Sequence, residues 1–97
     1  YLFFVFELKK IQVQKQNFQE VKDLYDKDVA QFNSDLSEYN QIILTINSRG
    51  GATIEEADKL DEQKSVLQAR QQSLQNRAKG INNYLQSLNS DVNEYNS

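Results

Sequence analysis

Histidine, cysteine, methionine, tryptophan and proline are all missing from this 97-residue chain. Without His and Cys there is no imidazole general base, no thiolate nucleophile and no ordinary zinc site. No disulfide can form, so cysteine usage does not identify the redox compartment. Glycine is scarce as well, occurring only at Gly50, Gly51 and Gly80. A chain with so few breakers cannot make many turns and must be built from few, long elements. Hydrophobic residues make up 38% and charged residues 26%, too little apolar material for a globular core but enough for a narrow helical seam. The length allows one domain at most. The net charge is −3 and no basic stripe runs along the chain, so nucleic acid is not an expected partner. No run approaches the roughly 18 apolar residues of a membrane span, and membrane contact is not expected. No cofactor site is expected either. Asp23, Asp26 and Asp28, and later Asp58, Asp61 and Glu62, lie at helical spacings without the tight loop that calcium geometry wants, and read as solvated helix faces.

What is present is organised around one turn, Asn47-Ser48-Arg49-Gly50-Gly51-Ala52-Thr53. Gly50 suits a left-handed position ending a first helix, because it carries no Cβ penalty there. Thr53 with Glu56 reads as a capping box opening a second helix, the hydroxyl taking a free backbone N–H and the carboxylate reaching back to the cap. Glu55 and Glu56 also sit at the positive end of the helix dipole. Stop, turn and start thus fall within residues 48–53, between helices expected at about 8–48 and 54–96.

On either side of that turn apolar residues repeat by seven. Before it the track is Ile11, Phe18, Tyr25, Phe32, Tyr39 and Ile46, with a companion track of Val29, Leu36 and Ile43. After it the track is Leu60, Leu67, Leu74, Ile81, Leu88 and Tyr95, and its companion is Ala57, Lys64, Gln71, Ala78, Leu85 and Val92. Alternating steps of three and four make a left-handed coiled-coil seam. The fold class expected is all-α, a long antiparallel two-helix coiled-coil hairpin with arms of roughly 40 residues, or about 60 Å each. Folded about Gly51 and Ala52, paired residue numbers sum to 103. Phe18 then meets Leu85, Tyr25 meets Ala78, Phe32 meets Gln71 and Tyr39 meets Lys64, while Ile43 meets Leu60, Leu36 meets Leu67 and Val29 meets Leu74. Several bulky aromatics, Tyr25, Phe32 and Tyr39, thus face small or polar partners while aliphatics face aliphatics, which evens out the volume of each layer. Lys64 and Gln71 read as seam residues that lay a stem along the seam or fix register. Lys15, Lys22 and an early Val21 mark a local phase shift. Gly80 reads as a glycine inside a continuous helix, with a hinge as the other reading.

The opening residues Tyr1, Leu2, Phe3, Phe4, Val5 and Phe6 find no partner under this pairing. Residues 1–7 are therefore expected to overhang a hairpin formed by 8–97. Four aromatics in six consecutive apolar residues need cover. A neighbouring domain, a second copy of the chain, or a membrane would each provide it, and the first is the preferred reading. The run lacks the basic flank and cleavage site of a complete signal peptide. Off-seam apolar residues Val13, Leu24, Ile42, Leu44, Val66 and Tyr84 would, if aligned, form a second stripe able to pair hairpins into a four-helix bundle.

Tyr39-Asn40, Ile46-Asn47-Ser48-Arg49-Gly50-Gly51-Ala52, Leu88-Asn89 and Tyr95-Asn96 together resemble a coiled-coil region of some bacterial proteins. In these an Asn-x-Arg-Gly-Gly-Ala hairpin precedes a matrixin-like zinc metalloprotease domain. The resemblance covers roughly residues 39–96 and is most specific at 47–52. It implies an extracytoplasmic or cell-envelope parent with this hairpin as an accessory arm. No catalytic residue carries over, since that family's zinc motif rests on histidines and this chain has none.

The expectation is therefore a non-enzymatic structural arm or spacer of a larger protein. The alternatives are a protein-binding or oligomerisation module, with Arg49 at the tip and Tyr1, Phe3, Phe4 and Phe6 as contact candidates, and an arm positioning a protease domain. A nucleic-acid arm like that of seryl-tRNA synthetase is disfavoured by the charge. Because isolated helices of such polar sequence are marginal, the seam must supply most of the stability. Leu67→Ala is accordingly expected to cost about 2–5 kcal/mol in denaturant unfolding, and a midpoint equal to the parent's would contradict the seam.

Overall fold

A computed structural model describes the backbone of residues 2–96 and the side chains of Val5 and of residues 7–95. The chain is an all-α antiparallel helical hairpin. Helix α1 spans Leu2–Ser48 and helix α2 spans Ile54–Asn96, and no strand occurs among the described residues. The start of α1 differs from the expected boundary near residue 8: the opening apolar run continues the helix. The reason is local, since neither Pro nor Gly stands ahead of Gly50 to stop it. Helix α2 passes through Gly80, and among the described residues only Gly50 and Gly51 have positive φ.

The turn is a Schellman motif. The Gly51 N–H donates to the Ile46 carbonyl at 3.0 Å, and the Gly50 N–H donates to the Asn47 carbonyl at 3.2 Å. This 6→1 and 5→2 pair satisfies carbonyls that a helix C-terminus leaves orphaned. Gly50 has φ of 104° and Gly51 of 117°, a region that side chains with a Cβ enter only with strain. The last turn of α1 is tightened by the Ser48 hydroxyl donating to the Thr45 carbonyl at 2.8 Å. Across the turn, Thr53 is the N-cap: its carbonyl accepts the first helical bond from the Ala57 N–H at 2.9 Å.

The chain divides into two compact units. One, the turn-containing unit, is Lys27–Gln75; the other, the terminal unit, joins Tyr1–Asp26 to Asn76–Ser97. In the turn-containing unit Phe32, Ile46 and Leu67 are buried, and in the terminal unit Ile11 and Leu88 are. All five lie on the two main heptad tracks. Phe18, Tyr25, Val29, Leu36, Tyr39, Ile43, Leu60, Leu74 and Ile81 are half-buried, whereas Leu85 stands at 36% exposure. Among the described residues no polar residue is buried as a whole. A pair of helices has no third layer to close over its seam, so most seam residues keep an edge in water.

The two glycine environments lead to opposite expectations. A Cβ at Gly50 or Gly80 would meet no atom within 4 Å, so backbone conformation alone decides. Gly50→Ala should destabilise by about 1–2 kcal/mol because of its left-handed backbone. Gly80→Ala should stabilise by about 1 kcal/mol because Gly80 lies within a helix. Thermal melts of the two variants check this; a destabilised Gly80→Ala would show that the backbone at residue 80 is not held helical in solution.

Candidate functional site

The tip of the hairpin is a small electrostatic clamp. The Thr53 N–H donates to Glu56 Oε1 at 3.1 Å, and the Glu56 N–H donates to Thr53 Oγ1 at 3.2 Å. These reciprocal bonds close a capping box and satisfy two N-terminal donors of α2. The remaining carboxylate oxygen, Glu56 Oε2, accepts a hydrogen bond from Arg49 Nη2. Arg49 is thus tied across the turn to the same acid that caps α2, and its guanidinium is engaged within the chain while remaining solvent-accessible. The Arg49 guanidinium, followed by the Thr53 N–H, draws the Glu56 carboxyl down to a pKa of about 2. The same charge-assisted logic operates at Asp35, which accepts from Arg70 Nη1 at 2.7 Å and from Gln31 Nε2 at 2.9 Å. Its carboxyl lies below the usual aspartate range, chiefly through the Arg70 bond.

Along the arms the aromatic residues of α1 are covered differently from the expected layers. Phe18 stacks on Tyr84 with centroids 6.1 Å apart and planes 9° apart. The Arg77 guanidinium lies 5.7 Å from the Tyr25 ring centroid, and that of Arg70 lies 5.5 Å from the Phe32 centroid. Each covering residue immediately precedes the expected partner: Tyr84 before Leu85, Arg77 before Ala78, Arg70 before Gln71. The physical reason is width. A six-membered ring directed into a two-helix seam projects beyond the one residue opposite it, and a long side chain from the adjoining flank folds over the exposed face. Tyr84, read from sequence as off-seam, is half-buried, and its hydroxyl donates to the Gln14 carbonyl at 3.0 Å. Gln14 also donates from Nε2 to Asp91 Oδ2 at 2.7 Å, while its Oε1 is buried with no partner. The expected partners still approach one another: Phe32, Leu36, Tyr39, Lys64, Leu67 and Gln71 line a single groove of about 370 Å³.

Two further hollows open on the arginine-bearing flank of the turn-containing unit. The larger, of about 390 Å³, is lined by Asp35, Glu38, Tyr39, Ile42, Glu62 and Val66, together with Gln63, Leu67 and Arg70. The second, of about 330 Å³, shares Glu38 and Ile42 with it and reaches Arg49 and Glu56. In the terminal unit a hollow of about 390 Å³ is lined by Phe18, Val21, Gly80, Ile81 and Tyr84, with Asn17 and Arg77.

Among the described residues, no three acidic side chains converge to hold a metal ion, and no helix is long and apolar enough to cross a membrane. The contact candidates Tyr1, Phe3, Phe4 and Phe6 lie outside the described side chains. Set against known proteins, the chain matches no family model, no curated protein and no solved structure.

The tip clamp has a pH signature. A carboxyl whose folded pKa lies below its ordinary value stabilises the fold above that value and loses the contribution as pH falls toward the folded pKa. For Glu56 that window runs from 4.5 down to about 2. The parent's melting temperature should therefore fall more steeply across this interval than that of Glu56→Gln. Parallel melting profiles for the two proteins would show that the clamp is absent in solution.

Proposed function

We propose that the chain is a non-catalytic structural arm or spacer of a larger protein. The observation that carries this reading is the pairing of the two ends of the chain in one terminal unit, while the other unit is closed by the Schellman turn and the capping box. An element that leaves and returns at one place can be carried by a host domain without disturbing the host's own connectivity. The sparse, seam-restricted burial fits an element whose task is to hold a distance or orientation. The arm reading predicts a monomer at all accessible concentrations in sedimentation equilibrium.

A second reading is an oligomerisation or protein-binding module, favoured by the exposed Val13, Val21 and Leu24 on α1 of the terminal unit. Under it, sedimentation shows a concentration-dependent dimer, and Leu24→Ser with Val13→Ser abolishes it while leaving helicity intact. A third reading follows from the turn sequence Asn47–Ala52: an envelope-associated bacterial parent in which the hairpin positions a zinc metalloprotease domain. The coding sequence flanking residues 1–97 tests it. An in-frame His-Glu-x-x-His segment supports the protease parent, and a parent reading frame without one rules it out.

A further inference from the structure

We propose that the turn-containing unit carries a docking groove for a basic amphipathic helix of another protein, seated on Ile42 and Val66 and held by Glu38 and Glu62. The groove is the hollow of about 390 Å³ on the arginine-bearing flank, continued toward the turn by the adjoining hollow that shares Glu38 and Ile42. Ile42 is 38% exposed and Val66 57%. Single exposed aliphatics are ordinary, but these two come from different helices and open on the same hollow.

The carboxylates around this floor fall into two kinds. Asp35 is neutralised by Arg70 and Glu56 by Arg49. Glu38 and Glu62 are exposed, and neither has an ion-pair or hydrogen-bond partner in the structure. Each lies one helical turn before a floor residue, Glu38 before Ile42 on α1 and Glu62 before Val66 on α2. The floor is thus flanked by an uncompensated negative charge from each arm. A third helix laid against a helix pair presents a narrow apolar stripe to the groove and its flanking positions to both walls. Aliphatics on the stripe and Lys or Arg on the flanks complement this surface.

The same charges argue against a second copy as the occupant. An isologous contact sets a patch against itself, which would bring Glu38 and Glu62 of both copies together without counter-charge. A spacer needs no such groove, so the inference goes beyond the arm reading. The two are also tested separately, since unfolding and sedimentation report on the arm and peptide binding reports on the groove.

The experiment is a fluorescence-anisotropy titration of the whole chain with a labelled peptide of roughly 20 residues, leucines spaced by three and four and lysines flanking them. A twin peptide carries glutamate in place of lysine. The lysine peptide should bind saturably, and the twin should not. Glu38→Gln with Glu62→Gln should weaken binding about fivefold or more, as should Ile42→Ser with Val66→Ser. Glu20→Gln with Glu94→Gln, which removes the same charge from exposed positions of the terminal unit, should leave affinity within about twofold. Circular dichroism should report unchanged helicity for all three double variants, since the substituted residues are exposed. The proposal is overturned by absent binding of the lysine peptide, by equal binding of the twin, or by equal losses in the groove and control variants. A dimer in sedimentation that Ile42→Ser with Val66→Ser abolishes would also overturn it, assigning the groove to a second copy.

Discussion

Two helices in contact can each bury only one stripe, and the shallowness of that seam governs the rest of this molecule. Among the described residues five hydrophobic side chains, Ile11, Phe32, Ile46, Leu67 and Leu88, are buried, and none of them completely. The aromatic rings of α1 are too wide to be covered by the single residue across the seam from each, Leu85, Ala78 or Gln71. Tyr84, Arg77 and Arg70 therefore reach in from the flank to stack on Phe18, Tyr25 and Phe32. The flank residues of α2 thus extend the core, and the arginine stems and guanidinium faces do work that a third layer of apolar side chains does in a thicker fold.

The flank also sets the pairing. Arg49 with Glu56, Asp35 with Arg70 and Gln14 with Asp91 are cross-arm polar pairs at one heptad position, and the residue numbers of each pair sum to 105. A slide by one heptad would set Asp35 against Arg77 or Gln63 and would leave Arg49 without its acid. Individually such exposed pairs contribute little to stability, about 0–1 kcal/mol. Their value lies in specifying one alignment among several that a repeating apolar track permits. Glu56 couples this alignment to the turn, since one carboxylate caps α2 and binds Arg49 at the end of α1.

The hairpin was legible because its determinants are local or periodic. Paired glycines, a Thr-x-x-Glu cap and apolar steps of three and four each leave a direct trace in the sequence. The start of α1 was not legible: heptad pairing marks where a partner exists, whereas a helix continues until something stops it, and nothing before Gly50 does. Tyr84 escaped notice because a flank position looks like a surface position until the ring it covers is known. Glu38, Ile42, Glu62 and Val66 are likewise ordinary surface residues in sequence. They become a groove only when two helices are set side by side in one register. The signal available beforehand was the presence of Ile42 and Val66 among the off-seam apolar residues. The parent protein leaves no such trace, because spacing and attachment depend on what lies at the other side of a contact.

The doubling back of the chain at Gly50 and Gly51 is tested most directly by a single intramolecular distance. Ala30 and Ser73 are both exposed in the turn-containing unit and lie opposite one another in the proposed pairing. Spin labels on Ala30→Cys and Ser73→Cys, measured by double electron–electron resonance with labelled chains diluted in unlabelled protein, should give a narrow distribution near roughly 20 Å, set by helices about 8–10 Å apart plus the label arms. A distribution centred near 60 Å, the span of about 43 residues of unbroken helix, would contradict the hairpin.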